Sequence, residues 1–178
     1  MRVAVDIDGV LTEFPAPLAW AANEKYGLSL PDSVFVDSAG FGISDEIRAW
    51  VYSDDGPASR LEPARSAVKF LKQLIDLVGS ENVCIITARP EASRQMTEDW
   101  LSSHGLSGCE IIFDERKVDR ARLAGVTHAI EDSARHARDY DAAGIRSILL
   151  AEQDASGLPS SICQLRDLDA AIRSLSAS

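Results

Sequence analysis

The chain has 178 residues, a formal net charge of −10 at pH 7 and 46% hydrophobic residues. That length suits one domain, or one core with a modest insertion, and the composition is that of a globular protein able to bury a core. The acidic balance argues against a nucleic-acid polymer or an anionic membrane as partner, since either needs a basic stripe. A small phosphorylated ligand stays open, because a metal ion, a lysine and backbone amides can attract an anion locally against an acidic surface.

No apolar run approaches the roughly 20 residues of a membrane helix. The N-terminus lacks a signal-peptide pattern, with only three apolar residues between Arg2 and Asp6. Cys84, Cys109 and Cys163 sit among apolar neighbours without CxxC spacing, so they read as reduced core thiols. A cytoplasmic protein is the expectation.

Apolar runs of strand length recur at Val3–Val5, Val83–Ile86, Glu110–Phe113, His128–Ile130 and Arg146–Leu150. Helical patterns lie between them: Pro63–Val78, Glu91–His104 before Gly105, Val118–Ala124 before Gly125, and Ala134–Ala143 before Gly144. Leu168–Leu175 reads as a short amphipathic tail helix. Strands alternating with helices predict an α/β fold: a Rossmann-like three-layer sandwich around a central parallel sheet.

One stretch breaks the alternation. Between Phe14 and Leu61 there is no convincing strand, only expected helices at Pro17–Tyr26 and Ser44–Tyr52 around a loop rich in Pro, Asp, Ser and Gly. The expected organisation is a core of residues 1–13 and 62–178 with a small helical insert, 14–61, placed directly after the first strand. Its tip, SDDGPAS, reads as a mobile loop, and the plainer reading is that the insert merely extends the core. Trp20, Phe35, Phe41, Trp50 and Tyr52 all fall in the insert. They can form its small core or stack on a ligand, and the first use is the commoner one.

Ligands of open parallel sheets bind outside the carboxyl ends of the strands. There this sequence places Asp6, Asp8 and Gly9 after the first strand and Thr87, Ala88 and Arg89 after the second. Lys117 follows the third, and Glu131, Asp132 and Ser133 follow the fourth. In an extended segment Asp6 and Asp8 would point to one side, about 7 Å apart. Such carboxylates repel and call for a hard cation, Mg²⁺ above all, with Asp132 as a third oxygen donor. Each residue also has an ordinary reading. DxDG is a common turn, Thr87 a good strand former, Lys117 an exposed lysine in the charged run DERKVDR, and Asp132 or Ser133 a helix N-cap. Arg89 reads as a phosphate contact or as a surface ion pair. His104, His128 and His136 lack metal-ligand spacing, and His128 is expected half-buried at a strand start.

The order DxD, Thr, Lys, Glu-Asp, carried by VAVDIDGVLTE, IITARPE, Lys117 and HAIEDSARHA, resembles the haloacid dehalogenase-like hydrolase superfamily. Among its branches the chain looks most like the small 5'(3')-deoxyribonucleotidase-like nucleotidases. The resemblance implies that Asp6 is a nucleophile taking up a phosphoryl group and that Asp8 is the general acid/base. It implies that Thr87 binds phosphate, that Lys117 neutralises nucleophile and phosphate, and that Mg²⁺ sits at Asp6, Asp8 and Asp132, with Glu131 alongside. The metal contact of Asp8 would be its backbone carbonyl. The dehalogenases of the superfamily lack the second Asp, so Asp8 points to phosphate chemistry. The insert at 14–61 stands where the superfamily carries a small helical cap.

The expected activity is a Mg²⁺-dependent phosphomonoesterase acting on (deoxy)nucleoside monophosphates, or on a sugar phosphate or other small phosphoester. A non-catalytic phospho-accepting or regulatory domain is the alternative. A signalling receiver domain fits less well, because it carries its acceptor Asp at the third strand and has no insert after the first.

Overall fold

The computed structural model describes residues 1–36, 42–151 and 157–177. Its centre is a six-stranded, wholly parallel sheet of β1 (Val3–Val5), β2 (Val83–Thr87), β3 (Glu110–Phe113), β4 (His128–Glu131), β5 (Arg146–Leu150) and β6 (Cys163–Leu165). The spatial order is β3-β2-β1-β4-β5-β6. The five strands read from the sequence are present. The sixth escaped that reading because it is a three-residue, half-buried edge strand with no apolar run.

Side-chain alternation along the strands builds two layers of unequal bulk. Val3, Val5, Ile85, Ile130 and Ile148 meet Phe70, Leu71 and Leu74 of α3 (Ala67–Val78), Trp100 and Leu101 of α4 (Arg94–Ser103), and Ile172 and Leu175 of α7 (Leu168–Ser176). On the opposite face the small Ala4 and Ala129, with Cys84 and Ile86, lie against Ala121 of α5 (Lys117–Leu123) and Tyr140 of α6 (Ala134–Ala142). Parallel strands covered on both faces are the reason these runs are apolar throughout rather than alternating. The three cysteines are free thiols.

Between β1 and α3 the chain forms α1 (Ala16–Tyr26), α2 (Asp45–Val51) and a 3₁₀ turn, Pro57–Arg60. This segment has its own apolar cluster, with Leu18, Ala22, Phe35, Val51, Tyr52 and Ala58 buried and Ala88 and Met96 joining from beyond β2. Phe35 and Tyr52 are core residues there, Trp50 packs against them, and Trp20 is exposed. Phe41 lies outside the described residues. The SDDGPAS tip folds tightly: a Cβ on Gly56 would fall 2.1 Å from the Trp50 carbonyl oxygen, and Pro57 and Ala58 are buried.

The third helix begins at Ala67 rather than near Pro63. Residues 62–64 are taken up by the chain after β1, through Glu13 N–H to Glu62 O, Ala64 N–H to Leu11 O, and a bridge between Thr12 and Pro63. Ser66 then turns into the helix at φ +72°, a left-handed conformation that costs a non-glycine residue free energy. The expected helix at Glu91–His104 divides into a 3₁₀ turn, Glu91–Ser93, and α4.

Candidate active site

The strand order reverses at β1, whose neighbours are β2 on one side and β4 on the other. Loops leaving such a switch point diverge and leave a crevice at the carboxyl edge. Asp6 follows β1 directly, with its N–H bonded to Ile130 O of β4 at 3.1 Å. The chain then leaves the extended form. Ile7 O accepts from the N–H groups of Val10, Leu11 and Thr12, and Gly9 stands at φ +80°. Ile7 is fully buried in the core, so the turn is anchored between the two aspartates.

The charges meet in a definite pattern. Lys117 Nζ lies 2.7 Å from Asp6 Oδ2 and donates to both oxygens of Glu131, at 3.1 and 3.3 Å. All three side chains are nearly inaccessible. Burial alone would push the Lys117 ammonium down, but Asp6 and Glu131 outweigh it and hold it above its ordinary value, fully charged. Asp6 is pushed up to about 7, chiefly by loss of water, with Lys117 opposing the shift. Glu131 is raised for the same reason, again against Lys117.

Asp132 is different. Both its carboxylate oxygens are buried and have no hydrogen-bond partner among the described residues. Burial, then Asp6 and Glu131, push it well above the usual carboxylate range. The helix cap is supplied instead by Ser133, whose Oγ accepts from His136 N–H at 3.3 Å, so Asp132 is not used as a cap. Asp6, Glu131 and Asp132 each offer an oxygen within 4.8 Å of the others. An all-oxygen donor set with one carboxylate lacking any other partner fits a hard divalent cation such as Mg²⁺. Within the set Asp132 is the freest donor, while Glu131 is already held by Lys117.

Asp8 stands apart from that group. Its carboxylate is gripped by Arg89, Nε to Oδ2 at 2.9 Å and Nη2 to Oδ1 at 2.6 Å. Tyr52 Oη adds a 3.4 Å contact to Oδ2. Thr87 ends β2, is buried, and its Oγ1 accepts from the Arg89 N–H at 3.2 Å. The Ala88 carbonyl accepts from Arg48 Nη2 at 2.9 Å, and Arg48 also pairs with Glu115, tying α2 to the loops after β2 and β3. The sequence residues Asp6, Lys117, Glu131 and Asp132 therefore converge, and Asp8, Arg89 and Thr87 form a second knot joined to the first through the 6–8 turn.

Arg48 and Thr97 have no part in the sequence reading, which gives Tyr52 only as an insert-core or ligand-stacking ring and His136 only as a histidine without metal-ligand spacing. His136 Nδ1 lies 3.5 Å from Glu131 Oε2, and burial pushes its pKa down to about 4, so it is neutral near pH 7. None of these four carries a spacing signal in the sequence. Their placement depends on contacts between distant segments.

No family model matches the chain. It is 26% identical over 160 residues to a Chlorobaculum tepidum protein named "Putative 5'(3')-deoxyribonucleotidase", covering 82% of this chain and 76% of that one. A hydrolase from Pseudomonas syringae superposes with a TM-score of 0.68 at 16% identity, covering 99% of this chain and 98% of that one. A HAD family hydrolase from Deinococcus radiodurans R1, solved with bound phosphate and sodium, gives 0.66 at 18% identity over 99% and 95%. The chain has the haloacid dehalogenase-like (HAD) fold. In this HAD-like frame the acidic group and Lys117 lie at the crevice set by the strand order. Among the described residues no helix is long and apolar enough to cross a membrane.

Proposed function

We propose that the protein is a Mg²⁺-dependent phosphomonoesterase that carries the phosphoryl group on Asp6. The observation that carries this reading is the bridge from Lys117 to Asp6 and Glu131 beside the partnerless Asp132, at the switch point of the sheet. Phosphoryl transfer asks mainly for positioning and charge stabilisation, and this cluster is built for both.

Asp6, Asp132 and the Asp8 backbone carbonyl would hold the cation, with Glu131 alongside. When bound, it neutralises charge on the phosphate and on the carboxylates. Lys117, bonded to Asp6, screens it as it approaches the anionic phosphorus centre. In the first step an Asp6 oxygen bonds to phosphorus, the bond from phosphorus to the ester oxygen breaks, and Asp8 delivers a proton to the departing alcohol. In the second, Asp8 takes a proton from water as the water oxygen attacks phosphorus, releasing inorganic phosphate and free Asp6. Thr87 and the backbone N–H of Ala88 would bind phosphate oxygens, while the Arg89 N–H is held by Thr87 Oγ1. Residues 14–61 would act as a cap that excludes water from the first step.

The name of the Chlorobaculum relative makes (deoxy)nucleoside monophosphates the first substrate class to test. A cavity of about 970 Å³ that contains Gly9 and Asp132, lined also by Phe14, Arg65 and Arg166, has room for a nucleoside beside the acidic group. Sugar phosphates and other small phosphoesters form the second class. The test is phosphate release from a panel of nucleoside monophosphates, sugar phosphates and p-nitrophenyl phosphate, with Mg²⁺ and with chelator. Release that needs Mg²⁺ and is lost in Asp6→Asn supports the reading. A folded protein that hydrolyses no monoester overturns it.

A further inference from the structure

Arg89 is buried at 0% side-chain exposure, in a loop that faces the crevice. Three of its N–H groups are committed: two to the separate oxygens of Asp8, and Nη1 to Thr97 Oγ1 at 3.3 Å. The guanidinium carbon lies 5.5 Å from the centre of the Tyr52 ring and 5.9 Å from that of Trp100. Trp100 is itself fixed by its Nε1–H to Leu61 O at 2.7 Å. Such a group has no open side to offer a phosphate.

Stability does not explain the pair. A buried ion pair loses the hydration of both charges, and well-packed apolar residues of similar volume are often as stable. A planar, two-pronged donor does fix one thing well: the orientation of a carboxylate. We infer that Arg89 is a positioning residue, which sets the rotamer of Asp8 so that one oxygen faces the ester oxygen of the substrate. Tyr52 is the second member of the device. It approaches the same Oδ2 from the segment between β1 and α3, so Asp8 is fully aligned only with that segment docked. This rests on the phosphomonoesterase reading. Arg89 gains and loses no proton in either step; the proton passes between Asp8 and the alcohol or water.

A phosphate contact and a positioning residue predict different kinetics. The variants are Arg89→Met, Arg89→Lys, Tyr52→Phe, Asp8→Asn and the Arg89→Met/Asp8→Asn pair, with thermal melts to confirm folding. The substrates are an alkyl monoester, whose leaving group needs a proton, and p-nitrophenyl phosphate, whose leaving group needs little help. Positioning predicts that Arg89→Met lowers kcat on the alkyl ester by about 100-fold, the scale of lost general-acid help, and much less on p-nitrophenyl phosphate. KM and the inhibition constant of inorganic phosphate should stay within about 3-fold, because ground-state binding is untouched. On the Asp8→Asn background the Arg89 change should add almost nothing. Tyr52→Phe, which removes one hydroxyl and keeps the ring, should give a smaller loss with the same substrate dependence. Should Arg89→Met not fold, Arg89→Lys, which keeps the charge and loses the two-pronged geometry, carries the same comparison. Phosphate inhibition weakened about 10-fold or more, with losses additive to Asp8→Asn, would overturn the inference and leave the phosphatase reading standing. Wild-type protein without any monoester turnover would overturn both.

Discussion

Gly9 and Asp132 compete for one space. A Cβ built on Gly9 would fall 1.9 Å from Asp132 Oδ2, and Gly9 also sits at φ +80°. The glycine of DIDG therefore does two jobs: it permits the turn after β1, and it lets a carboxylate from the neighbouring β4 edge come close to it.

Gly9→Ala tests this directly. The added methyl must displace the Asp132 carboxylate and strain the turn. The expected result is a loss of phosphatase activity of about 100-fold or more, with a higher Mg²⁺ requirement, since misplacing a site group by about 1 Å has that scale of effect. Activity against [Mg²⁺] measures it. Near wild-type values would show that Asp132 is free to move without consequence.

Asp132→Asn removes a buried, partnerless carboxyl group that crowds Asp6 and Glu131, while keeping the shape. In chelator at pH 7.5 the variant should melt at or slightly above wild type, because the amide cannot ionise beside Asp6 and Glu131 while its own polar atoms stay unpaired. The rise in Tm that Mg²⁺ gives wild type should shrink or vanish in the variant. Thermal melts with and without Mg²⁺ read both effects.

Lys117→Met should do the reverse. It leaves Asp6 and Glu131 buried without their shared cation, and breaking such a cluster costs about 3–5 kcal/mol. The metal-free variant should unfold at lower temperature and at lower denaturant, and turnover should be abolished. An unchanged Tm would mean that the buried carboxylates are already neutral.

The pH dependence has a defined sign. In the metal-free protein Asp6 titrates at about 7, against the ordinary 3.8 of an unfolded aspartate. Below pH 4 both states hold the proton. Between pH 4 and 7 the folded state holds more protons than the unfolded one, so this group's contribution makes stability fall as pH rises, by up to about 1.4 kcal/mol per unit. Above pH 7 the contribution is constant. The gap in Tm between wild type and Asp6→Asn, measured in chelator, should shift against wild type from pH 4.5 to 7.5. A gap independent of pH would contradict the raised Asp6.

Much of this site was legible in sequence because parallel sheets gather strand ends at one edge. Knowing only where β1, β2 and β4 ended placed Asp6, Thr87, Glu131 and Asp132 in one region. Lys117 was harder. Its run, DERKVDR, reads as an exposed face, and its neighbour Arg116 is indeed exposed, yet Lys117 is 2% exposed because the helix starts there and aims it inward. The fate of Asp8 was not legible. Arg89 lies 81 residues away and Tyr52 comes from a segment without a spacing signal, so only the folded chain brings them to the same carboxylate. The dual use of Gly9 was hidden for the same reason: sequence showed a turn, and the packed neighbour showed why nothing larger fits.

In the proposed reaction Asp6 carries the phosphoryl group. Mixing the Mg²⁺-loaded enzyme with substrate, quenching in acid within one turnover and mapping peptides by mass spectrometry tests it most directly. The expected result is the added mass of one phosphoryl group on the N-terminal peptide containing Asp6, absent in Asp6→Asn. An unmodified peptide in an enzyme that turns over normally, together with retained turnover in Asp6→Asn, would contradict it.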